Sequence, residues 1–178
     1  MKTCLIVVDY QNDFVNGSLG FEKAGELDGR ICDKIAEYRA AGGDILFTLD
    51  THGADYLTTR EGRCLSVVHC IKGTDGHNLY GKTAQAAREE DVYFEKHAYG
   101  SDALYEYLKT AGYDEIELCG LVSNICVLSN AVLAKTALPG AEISVDALCT
   151  ASNDDSLNAK VLDILESINV QIKNREKI

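Results

Sequence analysis

Proline occurs once in this chain and tryptophan not at all, so there is no proline-rich linker or low-complexity arm to set apart from a folded body. Long apolar runs are missing too. No stretch approaches the roughly 20 residues that cross a bilayer, and Asp9 interrupts the first apolar segment where a secretory leader would continue. Excess positive charge is absent: 17 basic side chains face 28 acidic ones, for a net charge of −11. Such a field repels phosphate backbones and anionic membrane surfaces, which argues against nucleic-acid and membrane partners. Closely paired cysteines of the zinc-ribbon kind are lacking as well. The seven cysteines are an odd number, and Cys4 and Cys119 lie inside apolar runs where a thiol behaves as a small hydrophobe. A reducing, cytoplasmic location is expected.

What the chain does contain is an ordinary globular balance, 46% apolar and 25% charged. A chain of 178 residues can remove roughly 70% of its unfolded surface from water around one core, so residues 1–178 are expected to form a single domain. Short apolar stretches bounded by turn residues recur at Cys4 to Val8, Ile45 to Leu49, Val92 to Phe94, Ile116 to Leu121, Ile143 to Val145 and Val170 to Ile172, six candidate strands. Between them run helical spacings: Ile31, Ile35 and Tyr38; Leu104, Tyr107 and Leu108; Ile125, Leu128 and Val132; Leu157, Val161, Leu165 and Ile168. This alternation predicts a three-layer α/β/α fold, a Rossmann-like six-stranded parallel sheet in the order 3-2-1-4-5-6 with helices on both faces. Thr51 to Thr83 fits poorly, because about thirty residues of little periodicity in a compact domain are usually functional or misassigned.

In such a sheet, ligands bind beyond the carboxyl ends of the strands where the order reverses. The first strand ends at Asp9, the second at Asp50 followed by His52, the third at Lys96, and the fourth leads through Gly120-Leu-Val-Ser-Asn-Ile to Cys126. Asp9 and Cys126 then face each other across adjacent strands. Cys126 is expected in the first turn of a helix starting near Ser123 or Asn124, where the helix amino terminus and a lysine ammonium would lower the thiol pKa. Asp9 suits a general base that later acts as acid, with Lys96 balancing charge. Each residue taken singly has a plainer use: a packed thiol, a turn-capping carboxylate, a solvated lysine. Their convergence at neighbouring strand ends favours catalysis.

Asp9-Tyr-Gln-Asn-Asp-Phe14, Lys96 and Gly120-Leu-Val-Ser-Asn-Ile-Cys-Val127 resemble the isochorismatase-like cysteine hydrolases, nicotinamidases among them, in the same order and spacing over nearly the whole chain. The resemblance implies a catalytic triad of Asp9, Lys96 and Cys126, and a cis peptide between Leu121 and Val122 that aims the N–H groups of Val122 and Cys126 into an oxyanion hole. It implies a divalent metal, zinc first with iron or manganese also suited, on Asp50, His52 and His69, with Glu61 as the extra ligand of some members. Read alone, the Asp50-Thr-His52 spacing is a weak metal signal. Phe14 and Tyr99 match pocket-lining aromatics. The family's stacking aromatic, three residues before the second metal histidine, is replaced by Ser66. His77 and His97 match no ligand position. The implied reaction is thioester-mediated cleavage of a small amide, nicotinamide to nicotinate and ammonia, in an enzyme that self-associates. A carbamoyl, ureido or other amide is the alternative substrate. Isochorismate-type vinyl-ether hydrolysis and a non-catalytic ligand-binding module are the rivals, the former needing no cysteine.

Overall fold

Alternation of period two decides the layers. In β1 (Thr3–Val8) the side chains of Cys4, Ile6 and Val8 enter one apolar cluster and those of Leu5 and Val7 another. A strand without a polar face needs cover on both sides. The computed structural model, which describes residues 1–177, supplies it. After β1 come α1 (Asn12–Val15), α2 (Glu22–Glu26) and α3 (Asp28–Ala40), then β2 (Asp44–Asp50). Two short helices, α4 (Arg60–Cys64) and α5 (Gly81–Ala86), precede β3 (Val92–Lys96) and α6 (Asp102–Ala111). The chain continues through β4 (Glu115–Leu121), a π-helical turn (Ser123–Val127) running into α7 (Leu128–Ala137), β5 (Glu142–Ala151), α8 (Asp155–Ser167) and β6 (Gln171–Lys173). Every neighbouring pair is parallel and the order is β3-β2-β1-β4-β5-β6, as the alternation of elements predicts.

Leu104 and Leu108 of α6, Ala131 and Ala134 of α7, and Val161 and Leu165 of α8 pack on one face. Ile31 and Ile35 of α3, with Ala24, Leu27 and Val15, close the other. Each fully buried isoleucine or leucine stabilises the fold by about 1.5–3 kcal/mol. Helix ends follow local chemistry: Ser101 accepts the Leu104 N–H at the start of α6, and Gly112, at φ +69°, ends it in the left-handed conformation.

Strand ends are brought unusually close at the centre of the sheet. Val8 pairs with Gly120, where φ is +105° and a Cβ would lie 2.1 Å from the Val8 carbonyl oxygen. Only glycine allows that approach. The aperiodic stretch after β2 folds over these ends, its backbone pinned by a parallel bridge between His52 and Ile71 and by an antiparallel bridge from Leu79 to Gln11.

Candidate active site

Asp9 leaves β1 with φ +45°, a conformation that costs a residue with a side chain about 1–3 kcal/mol and that surrounding contacts must hold. Thr48 supplies those contacts. The Asp9 N–H donates to the Thr48 carbonyl at 3.1 Å, and Thr48 Oγ1 donates to Asp9 Oδ1 at 2.7 Å. Lys96 closes β3 beside Asp50, its partner in register at the end of β2. Its ammonium lies 2.7 Å from Asp9 Oδ2, 3.0 Å from Asp50 Oδ1 and 3.5 Å from Cys126 Sγ, and also donates to the Ala98 carbonyl at 3.0 Å. The structure therefore brings Asp9, Lys96 and Cys126 together, 0%, 1% and 5% exposed respectively.

Cys126 lies in the π-helical turn ahead of α7 instead of the first turn of a regular α-helix. The turn closes by donation from Val127 N–H to the Val122 carbonyl, five residues back, at 3.2 Å; such turns recur at functional positions. The peptide joining Leu121 to Val122 is cis. Asn130, fully buried one turn on, donates to the Cys126 carbonyl at 2.8 Å and the Tyr99 carbonyl at 3.2 Å, and accepts from the Ser101 N–H at 3.0 Å.

The electrostatics correct one expectation. Burial first, then the Asp9 carboxylate, push the Cys126 thiol well above its ordinary value, and Lys96 only partly offsets them. The resting thiol holds its proton. Asp9 is likewise raised, by burial foremost and by nearby Asp50, against the pull of Lys96. Lys96 would be lowered by burial, but Asp9, Cys126 and Asp50 hold it above the usual lysine value, so it stays an ammonium. A buried cation with two carboxylate partners satisfies the demand that buried charge be paired.

Asp50 links this trio to a second cluster. Its Oδ2 lies 3.0 Å from His52 Nε2 and 3.3 Å from His69 Nε2, and donor atoms of Asp50, His52 and His69 all fall within 4.8 Å of one another. Burial would raise Asp50, yet the His52 and His69 hydrogen bonds and the Lys96 charge hold it well below the usual carboxylate range. His69 Nδ1 lies 2.8 Å from the Val67 carbonyl, which places a proton on Nδ1 and turns Nε2 toward Asp50, the outer hydrogen bond that metal-ligating imidazoles commonly make. One carboxylate and two imidazoles suit a divalent ion. Glu61 stands farther off, its Oε1 4.0 Å from His52 Nε2. Tyr56 packs its ring against both imidazoles, at 4.6 and 5.0 Å between centroids, and its hydroxyl donates to the Leu65 carbonyl.

A cavity of about 200 Å³ opens above Cys126. Phe14, Leu19, Phe21, Leu65, Val122 and Ile125 form its apolar wall; Asp50, His69 and Glu61 stand on the β2 side and Asn153 on the β5 side. Tyr99 reaches it with half its surface exposed, while Phe14 is buried. Ser66 is exposed and bonds to the Gly62 carbonyl; Leu65 takes the wall position beside it. His77 bonds through Nε2 to Thr51 Oγ1 and His97 through Nδ1 to the Thr51 carbonyl, both outside the two clusters. The sequence reading missed Phe21, Leu65, Asn153, Tyr56 and Asn130. It also missed Gln11, whose amide donates to the Asp50 and His77 carbonyls and accepts from the Asp50 N–H. Asn153 follows the true end of β5 at Ala151 and lies eight residues beyond the Val145 end read from the sequence; the others carry no local signal.

The family model described as the isochorismatase domain matches residues 3–175. The chain belongs to the isochorismatase family. Among relatives, an uncharacterized isochorismatase family protein, PncA of Bacillus subtilis, is 34% identical over 143 residues, covering 74% of this chain and 78% of the relative. The nicotinamidase/pyrazinamidase of Mycobacterium tuberculosis is 28% identical over 169 residues, 87% of this chain and 90% of the relative. The crystal structure of nicotinamidase/pyrazinamidase PncA from Bacillus subtilis superposes with a TM-score of 0.87 at 31% identity, covering 98% of this chain and all of that one. This isochorismatase-family chain thus shares its fold with that structure over nearly its whole length.

Proposed function

We propose that residues 1–178 work as one amidohydrolase domain that releases ammonia from a small planar amide, nicotinamide before others, with Cys126 as nucleophile, Asp9 as proton carrier and Lys96 as the balancing cation. One observation carries this: a single buried ammonium touches both the Asp9 carboxylate and the Cys126 sulfur beneath an apolar cavity. The relatives named nicotinamidase/pyrazinamidase support the choice of substrate.

The resting thiol is neutral, and Asp9 has a proton affinity raised by its burial. Asp9 therefore takes the thiol proton as sulfur attacks the carboxamide carbon. The N–H groups of Val122 and Cys126 receive the developing oxyanion. Asp9 returns its proton to the departing ammonia, and water then cleaves the thioester. Lys96 keeps its charge throughout and holds Asp9 in line through the 2.7 Å contact. Phe14 and Tyr99 hold a planar ring between them. Asp50, His52 and His69 would hold a divalent ion, zinc foremost and iron or manganese also suited, with Glu61 within reach of the same cluster; when bound it supplies a Lewis acid that orients the substrate.

A carbamoyl or ureido amide is the second substrate class, favoured by one observation: Ser66 lies outside the cavity and leaves aliphatic Leu65 on that wall, so one aromatic contact to a ring is missing. Ammonia release from nicotinamide and a panel of carbamoyl and ureido compounds, with pyruvate release from isochorismate alongside, separates these. Ammonia from nicotinamide is expected, with Cys126→Ala inactive but still binding it. Pyruvate without ammonia, or full turnover by Cys126→Ala, sinks the proposal.

A further inference from the structure

A second, larger cavity of about 480 Å³ adjoins the first. It is more open, and Glu61 and Tyr99 line both. Once an acyl group on Cys126 fills the smaller cavity, the molecule that attacks the thioester must arrive from a side the acyl group does not occupy. A water in transit needs two to four polar partners, and the apolar wall of the small cavity offers none. The larger cavity supplies such partners in Thr51, Thr59, Arg60 and Glu61, and the contacts from Cys126 through Lys96 (3.5 Å) and Asp50 (3.0 Å) to His52 (3.0 Å) end at its edge. His52 itself lines the larger cavity. Of the polar side chains that line the smaller cavity alone, Asp50 and His69 stand on the β2 side and Asn153 on the β5 side, where it marks the competing entry.

We infer that the larger cavity is a nucleophile port, through which water and also small amines such as hydroxylamine reach acyl-Cys126 past Glu61 and Tyr99, giving the enzyme an acyl-transfer activity beside hydrolysis. The inference rests on the thioester proposed above. In the transfer step the amine nitrogen attacks the thioester carbon and the carbon–sulfur bond breaks. The sulfur leaves with the bonding pair, and the proton lost by the amine passes through Asp9 to the sulfur. The products are a hydroxamate and the free thiol, with no change of oxidation state.

The port has a test independent of overall turnover: the ratio of hydroxamate to acid formed from nicotinamide with hydroxylamine or the bulkier N-methylhydroxylamine. Cys64 is exposed and lines only the larger cavity. Squeezing a nucleophile past an added ring carries a penalty of the size of core overpacking, so Cys64→Phe should lower the ratio for N-methylhydroxylamine about tenfold relative to hydroxylamine. Cys64→Ser should leave it unchanged. His97→Trp, on the same cavity, repeats the test if Cys64→Phe does not fold. Ratios insensitive to both bulky variants, or sensitive to Asn153→Leu instead, overturn the port. An acid-quenched acyl adduct on Cys126 with no hydroxamate also overturns the port while leaving the thioester standing. Absence of any adduct together with absence of hydroxamate overturns both.

Discussion

Replacing Lys96 by methionine should expose how the buried charges are balanced. In the wild type one ammonium contacts Asp9 Oδ2 at 2.7 Å and Asp50 Oδ1 at 3.0 Å, with the three residues 1%, 0% and 5% exposed. Methionine fills nearly the same volume, so packing is kept and the charge alone is lost. Removing one partner from a buried ion pair costs about 3–5 kcal/mol, because the remaining charge is stranded without water. For a chain of this length each kcal/mol moves the melting temperature by about 2–4 °C, so a fall of roughly 6–20 °C is expected. Asp9→Asn in the same chain removes one stranded charge while keeping an acceptor for Thr48 Oγ1. The double variant should therefore recover at least about 1 kcal/mol relative to Lys96→Met, a coupling within the usual range for contacting residues. Urea unfolding followed by circular dichroism, on metal-free samples, gives all four corners of the cycle. A Lys96→Met loss below about 1 kcal/mol, or a double variant less stable than Lys96→Met, would refute the reasoning.

Three further outcomes follow from the same geometry. Gly120→Ala should destabilise by more than about 2 kcal/mol, since the new Cβ would sit 2.1 Å from the Val8 carbonyl at φ +105°; a melting temperature equal to wild type would contradict the close approach. Asp146, bonded to Lys34 at 2.7 Å and to Asn174, has burial working against it, but the Lys34 and Asn174 bonds hold its carboxyl below the ordinary value. Its contribution is thus present above the unfolded pKa of about 3.9 and is lost as pH falls through the lower folded value. Asp146→Asn should cost about 1.5–3 kcal/mol at neutral pH, with the gap to wild type closing in thermal melts near pH 3; an unchanged gap there would count against it. For metal, His52→Ala and His69→Ala should weaken divalent-ion affinity, measured by calorimetric titration, by more than about 100-fold, beyond what outer-shell changes bring. Glu61→Ala, acting on a carboxylate 4.0 Å from His52, should weaken it less, and the reverse order would place Glu61 among the principal ligands.

Much of the sheet was legible because buried parallel strands are continuous apolar runs, and all six appear in the expected order. Boundaries were less so. The apolar runs stopped at Leu49 and Phe94, yet β2 and β3 do end at Asp50 and Lys96, where the strand ends were read, because pairing with each other extends the ladder through two charged positions. β5 was read as Ile143 to Val145 yet runs to Ala151; its polar residues are neutralised by partners remote in sequence, Asp146 by Lys34 and Thr150 by the Gly120 carbonyl, which periodicity cannot see. The convergence of Asp9, Lys96 and Cys126 was legible from strand ends alone. The thiol's raised pKa was not, because the helix terminus and the lysine were weighed while burial and the Asp9 carboxylate outweigh them. Asn130 acts through three hydrogen bonds to backbone groups and Tyr56 through one hydrogen bond and two ring contacts, which leave no trace in local sequence.

Trapping the covalent intermediate tests the proposed chemistry most directly. Enzyme mixed with nicotinamide, quenched in acid within one turnover and mapped by peptide mass spectrometry, should carry a nicotinoyl adduct on the peptide containing Cys126, formed with the release of ammonia and lost as acid accumulates. Ammonia released at the full rate while Cys126 stays unmodified, or an adduct on another residue, would contradict the assignment of Cys126 as nucleophile.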